Sequence, residues 1–225
     1  MRKTKKRISL IIAITFIYLT VFSTSTEVLA STVSSCRISK NYDINDIIKN
    51  PEQYPNIEIE GPYSLEEMAH IMAIDENIKI EEAKDLLTKS DSKSYFSQAS
   101  EEGYLTFKEA ITVTALYSVQ VRFYCKMEFY GGGPEPTAFI NVSNVTLDRA
   151  YIGGPKEFDG EIYYNLESST RLYYEIEGDF WNYGTTKFTG GGSVGIGVRG
   201  KLEGSVEYAS SHFRYLSPKQ GYFRI

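Results

Sequence analysis

Residues 119–130 read Val119-Gln120-Val121-Arg122-Phe123-Tyr124-Cys125-Lys126-Met127-Glu128-Phe129-Tyr130. Every odd position is apolar. Every even position is polar, charged or a tyrosine. Successive side chains of a strand point to opposite faces, so this period-two pattern predicts a long strand with one core face and one wet face. Working outward, Ile162/Tyr164/Leu166, Leu172/Tyr174/Ile176, Val194/Ile196/Val198 and Leu202/Val206/Tyr208 repeat the alternation, and Ile111/Val113 predict an earlier strand. Phe213–Leu216 and Tyr222–Ile225 predict two short late strands. Ile140 and Val142 fall on even positions but Val145 and Leu147 on odd ones, which predicts a bulge or bend at Ser143-Asn144.

Turn residues separate these runs: Gly131-Gly132-Gly133-Pro134, Gly153-Gly154-Pro155, Asn182-Tyr183-Gly184 and Gly190-Gly191-Gly192. Arg199-Gly200-Lys201 is compatible with a hairpin tip. Strands in succession with no helical period between them predict a mainly β fold, an antiparallel β-sandwich.

The stretch before the strands differs in composition. From Asp43 to Glu102 there are fifteen acids and five lysines, whereas residues 111–225 hold twelve acids and eleven bases. Ser64-Leu65-Glu66-Glu67 fits a capping box, followed by Met68, Ile71 and Met72 at helical spacing. A second helix is predicted from Ile80 to Thr88, with Ala83, Leu86 and Leu87 on one face and Glu81 and Glu82 in its first turn. Asp91–Glu102 reads as a polar linker. Both helices are too short to be stable alone and need a partner surface.

Residues 1–30 carry a basic head (Arg2, Lys3, Lys5, Lys6, Arg7), an apolar run from Ile8 to Phe22 and a small-residue end at Val28-Leu29-Ala30. That order predicts a secretory signal peptide cut between Ala30 and Ser31. The expected organisation is therefore a signal peptide over 1–30, an acidic helical segment with linker over 31–102, and a β-sandwich module over 103–225. The expected location is extracellular, either free or at the cell surface. Val33-Ser34-Ser35-Cys36 loosely resembles a lipobox, and a lipid on Cys36 would anchor the chain to a membrane. Otherwise Cys36 and Cys125 are candidates for a disulfide in an oxidising compartment. The competing expectation is that Cys125, on an apolar strand face, is a buried thiol.

The formal charge is −5, and loss of five bases and Glu27 with the signal leaves −9. This acidic balance argues against a nucleic-acid partner. Two cysteines and two histidines, His70 and His212, form no zinc-ligand spacing, and no motif implies a metal or a cofactor. Glu161, Glu175, Glu177 and Asp179 lie on adjacent strands and are candidates for carboxylate catalysis, against the expectation of a solvated face. Ser211-His212 joins a hydroxyl and an imidazole, but neighbours in a strand point apart. The tyrosines carry more interest. Tyr124, Tyr163 and Tyr173 are placed opposite the core by the alternation, and Trp181 stands beside a turn. Such rings are candidate ligand-binding residues for a glycan or a protein surface, and cover by the acidic helices is the structural alternative.

The runs Phe158-Asp159-Gly160-Glu161-Ile162-Tyr163-Tyr164-Asn165-Leu166, Tyr173-Tyr174-Glu175-Ile176-Glu177-Gly178-Asp179-Phe180 and Tyr183-Gly184-Thr185-Thr186, with the Glu-rich piece Glu76–Leu87 before them, resemble a type of small secreted protein of Gram-positive bacteria. The resemblance implies export and this architecture; it implies no activity. Three functions follow from the residues. The first is a secreted, non-enzymatic binding protein whose partner is an extracellular protein or a cell-wall or cell-surface glycan. The second is a membrane-active or antimicrobial β protein, suggested by the Gly-, Ser- and Thr-rich stretch Thr185–Tyr208. The third is a carboxylate-based hydrolase.

Overall fold

A computed structural model describes residues 39–89, 100–131, 133–150, 154–209 and 211–225. The expected signal peptide, Cys36 and most of the expected linker lie outside them. In chain order the elements are β1 (Lys40–Asp43), α1 (Ile44–Lys49), a 3-10 turn (Pro51–Gln53), β2 (Ile57–Tyr63), α2 (Leu65–Glu76), α3 (Ile80–Thr88), β3 (Ser100–Thr114), β4 (Tyr117–Tyr130) and β5 (Pro136–Asp148). There follow β6 (Glu157–Ser168), β7 (Arg171–Trp181), β8 (Thr185–Gly190), β9 (Val194–Gly195), β10 (Arg199–Glu207) and β11 (His212–Arg224).

The strands form two packed sheets, a β-sandwich with a small helical segment. One sheet has six strands in the order β1-β11-β7-β6-β10-β8, and the other has five in the order β2-β3-β4-β5-β9. The alternating residues Val119, Val121, Phe123, Cys125, Met127 and Phe129 all enter the core between the sheets. Each fully buried side chain of this size contributes roughly 1.5–3 kcal/mol of transfer free energy. Phe123 meets Tyr174 at a ring distance of 5.3 Å, and Phe107 meets Phe223 at 5.2 Å, which ties the sheets together. Among the described residues Cys125 is an unpaired, fully buried thiol, and burial pushes its pKa up. The phase change in β5 is a bulge. Tyr124 pairs with Asn144 and Cys125 with Val142, so Ser143 is the extra residue.

Glycines inside the six-stranded sheet shape its inner face. Gly204, Gly160 and Gly178 align across β10, β6 and β7. The buried Phe158 ring lies over this row; a Cβ at these three positions would stand 2.8, 2.7 and 2.8 Å from it. Likewise the Tyr164 ring covers Gly200, and the Tyr174 ring covers Gly221. Flat rings thus supply the packing that the missing side chains cannot.

Several elements depart from the sequence reading. Residues before 103 belong to both sheets: β1 pairs in parallel with β11, β2 pairs with β3, and β3 already starts at Ser100. The two short late strands are one strand, β11, with register irregularities near Phe213 and between Leu216 and Lys219 that hide its period. The strand read at Val194–Val198 is only the two-residue β9, since Gly197 takes a positive φ of 76° and leaves Ile196 and Val198 exposed. Arg199-Gly200-Lys201 is not a hairpin tip but the start of β10, paired with Asn165, Tyr164 and Tyr163.

Strand β1 is fastened by one buried carboxylate. Tyr42 Oη donates to Glu109 Oε1 at 2.9 Å and Lys40 Nζ donates to the same oxygen at 3.2 Å, while Oε2 is buried without a partner. Burial raises the Glu109 pKa, and Lys40 and Tyr42 offset only part of the rise. The folded chain therefore holds this proton more tightly than the unfolded chain. The resulting stabilisation is full below the ordinary glutamate value and fades as pH rises through the raised one. Glu109→Gln removes the titration. In urea unfolding between about pH 4 and pH 8, wild type should lose stability relative to Glu109→Gln as pH rises. A difference independent of pH contradicts this.

Candidate functional site

The four aromatic residues singled out by the sequence divide between the two sheets. Tyr124 lies on the outer face of β4, expected to be wet. It is instead fully buried, because α2 and α3 pack over it. Met68, Ala69, Met72 and Ala73 of α2 and Ala83 and Leu87 of α3 form a second small core with Tyr104 and Tyr124. The helix starts as read. Ser64 accepts from the Glu67 backbone N–H, and the Glu67 carboxylate accepts from the Ser64 N–H, completing the capping box.

A polar latch closes the other end of α2. The Arg122 guanidinium pairs with Asp75 and donates to Tyr124 Oη at 3.2 Å. Tyr124 Oη lies 3.3 Å from both Asp75 Oδ2 and Glu76 Oε1 and is shared between them. Burial raises the Glu76 pKa, partly offset by hydrogen bonds from Thr146 and Tyr124. Asp75, Glu76, Arg122 and Thr146 border a cleft of about 450 Å³ that also includes Asp148 and Arg149. Its arginines are already engaged: Arg149 Nη1 donates to Lys156 O and Glu157 Oε2, both at 2.7 Å, and to Thr186 Oγ1 at 2.8 Å. Burial alone would raise Glu157; the Thr186 and Arg149 hydrogen bonds hold it below the usual range. The charged groups of the cleft are engaged in structural bonds, with Arg122 Nε alone among its arginine nitrogens buried without a partner.

The outer face of the six-stranded sheet is different. Cross-strand register places Arg199, Asn165, Tyr173 and Tyr222 in one row, and Lys201, Tyr163, Glu175 and Gln220 in the next. Glu203, Glu161 and Glu177 form a third row, and Asp159, Asp179 and Tyr215 a fourth. Tyr163 is 41% exposed. Tyr173 stands 5.1 Å from Tyr222, ring to ring, and its hydroxyl donates to Glu175 Oε2 at 2.5 Å. Tyr163, Asn165, Glu167, Tyr173, Glu175 and Arg199 line a shallow depression of about 260 Å³. Arg199 is exposed and makes no ion pair with a described residue. Lys201 bridges Glu161 at 3.0 Å and Glu203 at 2.7 Å. A hydrogen bond from Tyr163, then Lys201, holds Glu161 below the usual carboxylate range.

Trp181 closes the far end of this face. Its ring meets His212 edge-on at 5.2 Å, and His212 Nε2 lies 2.6 Å from Asp179 Oδ1. The structure thus brings Tyr163 and Tyr173 together, sets Trp181 on the same strand as Tyr173, and takes Tyr124 away. Arg199, Tyr222 and the Asp179–His212 pair were missed by the sequence reading. The irregular register of β11 removed the alternation that would have placed Tyr222 and His212. Glu161, Glu175, Glu177 and Asp179 share one open face and do not oppose each other across a cleft. Ser211 Oγ bonds Asn182 Nδ2 at 3.0 Å and is not joined to His212. Among the described residues no group of three or more His, Cys, Asp or Glu side chains is placed to hold a metal ion, and no helix is long and apolar enough to cross a membrane.

No family model matches the chain, and neither a curated protein nor a solved structure matches it significantly.

The latch has a direct test. Arg122→Leu leaves Asp75, Glu76 and Tyr124 without their cation. Charge-assisted hydrogen bonds of this kind are worth about 1.5–3 kcal/mol. Amide exchange in α2 and α3 should accelerate about tenfold or more, with β4 and β7 unchanged. Unaltered protection in both helices contradicts the latch.

Proposed function

We propose that the chain is a secreted, non-enzymatic binding protein that meets its partner on the outer face of the six-stranded sheet. The partner is an extracellular protein or a cell-surface glycan. The observation that carries the proposal is an open depression lined by both Tyr163 and Tyr173 and bordered by Arg199, which makes no ion pair with a described residue. Rings on a flat, rigid sheet offer large contact area at little entropic cost. The equivalent face of the other sheet is occupied by α2 and α3. Secretion rests on the order of residues 1–30, and absence of a catalytic motif in the sequence favours binding over turnover.

The triple variant Tyr163→Ala, Tyr173→Ala, Trp181→Ala tests the proposal. Wild type should be retained on at least one of three materials: purified cell wall, a glycan array, or an extracellular protein panel. The variant should bind that material at least about 30-fold more weakly, as expected when interface anchors are truncated. Equal retention of wild type and a folded variant, or no retention of wild type on any of the three, overturns it.

A further inference from the structure

The outer face of the six-stranded sheet sets like charges opposite one another. Glu161 lies directly opposite Glu177, and Asp159 directly opposite Asp179, on the paired strands β6 and β7. Glu203 of β10 extends the first of these rows by pairing with Glu161. Directly opposed side chains stand about 4.5–5.5 Å apart, and like charges there are destabilising. Lys201 neutralises part of the row through Glu161 and Glu203, and His212 reaches Asp179. Glu177 and the exposed Asp159 make no ion pair with a described residue. The sheet elsewhere resolves its charges: Arg171 bonds Glu167 and Lys187 bonds Glu207. The centre of the face does not.

The rings on the same face already accept cations from the chain itself. Arg171 and Arg224 stand over Tyr222 at 4.5 and 5.5 Å, and Lys201 over Tyr163 at 6.0 Å. Aromatic faces beside Asp159 and Glu177, the two carboxylates of these rows without an ion pair to a described residue, form a surface complementary to positive charge, and the exposed Arg199 stands away from them in the Tyr173 row. The spacing narrows the class. Asp159 and Glu161 alternate along β6, and Glu177 and Asp179 along β7. Residues two apart on a strand repeat about every 7 Å, the same interval at which alternate side chains project from an extended peptide. The tyrosines then offer apolar area to lysine or arginine stems.

We propose that the partner is a polypeptide presenting a Lys- or Arg-rich extended segment, held over the carboxylate rows Glu203-Glu161-Glu177 and Asp159-Asp179 and flanked by Tyr163 and Tyr173. This rests on the reading of that face as the binding surface. The acidic faces of α2 and α3 are the competing cation site on this molecule, but α3 itself carries no aromatic residue beside Glu81, Glu82 and Asp85.

The test uses the full secreted chain and four probes: a lysine decapeptide, a Gly/Ser decapeptide, an uncharged chito-oligosaccharide and soluble cell-wall glycan. Fluorescence anisotropy or calorimetry should detect the lysine peptide and not the Gly/Ser peptide, with affinity falling as salt rises. Neutralising the face (Asp159→Asn, Glu161→Gln, Glu177→Gln) should weaken lysine-peptide binding at least about tenfold. The same variant should still unfold cooperatively, a little below wild type because Glu161→Gln removes a Lys201 bridge; a cooperative melt shows that a loss of binding is not a loss of fold. Neutralising the helix (Glu81→Gln, Glu82→Gln, Asp85→Asn) should leave binding within about twofold of wild type. Binding lost in the helix variant and kept in the face variant overturns the inference. So does a glycan that binds through Tyr163 and Tyr173 while the lysine peptide does not, although the reading of the face then stands. If no probe is affected by either the tyrosines or the carboxylates, both fall.

Discussion

Strand β4 is buried on both sides, and the rest of the molecule is arranged around that constraint. Its odd positions fill the sandwich core. Its even positions include Arg122, Tyr124 and Lys126, which a two-layer sandwich would leave in water. The helix pair covers Tyr124, Arg122 pairs with Asp75, Tyr124 with Asp75 and Glu76, and Lys126 with Glu102, while Arg122 Nε is left buried without a partner. Burying such groups is tolerable only with this degree of satisfaction. The acidity of the segment before the sandwich has a local reason here, since the carboxylates at the end of α2 meet an arginine rising from the sheet.

The six-stranded sheet solves the opposite problem. Its inner face is packed by aromatic rings lying on glycines, as with Phe158 over Gly160, Gly178 and Gly204. Its outer face has no helix over it. There the polar residues are left to water, and two pairs of carboxylates are left facing each other. One sheet therefore holds its outer polar groups largely in bonds beneath a cover, and the other leaves carboxylates without an ion pair on an open surface. That contrast, more than any single residue, directs attention to the second face.

Much of this was legible in the chain. The odd-numbered apolar row of β4, the capping box at Ser64 and the bulge at Ser143 were each encoded by local spacing, and local spacing is what a sequence displays. The burial of Tyr124 was not, because alternation distinguishes two faces but does not say what lies over either. Nor were β1 and β2, short edge strands whose pairing partners lie 181 and 41–52 residues away in sequence. The grouping of Tyr163, Tyr173 and Tyr222 depends on cross-strand register between β6, β7 and β11, and β11 has its period broken twice. The in-strand glycines were visible as letters, but their role depends on which ring crosses them from the next strand.

The most direct test is carboxyl footprinting by mass spectrometry of the protein, free and saturated with a lysine decapeptide. Protection should concentrate at Asp159, Glu161 and Glu177, with Asp75 and Glu76 poorly labelled in both states because the latch holds them. Protection confined to Glu66, Glu67, Glu81 and Glu82, with the sheet carboxylates labelled equally in both states, would contradict the assignment of the six-stranded face as the recognition surface.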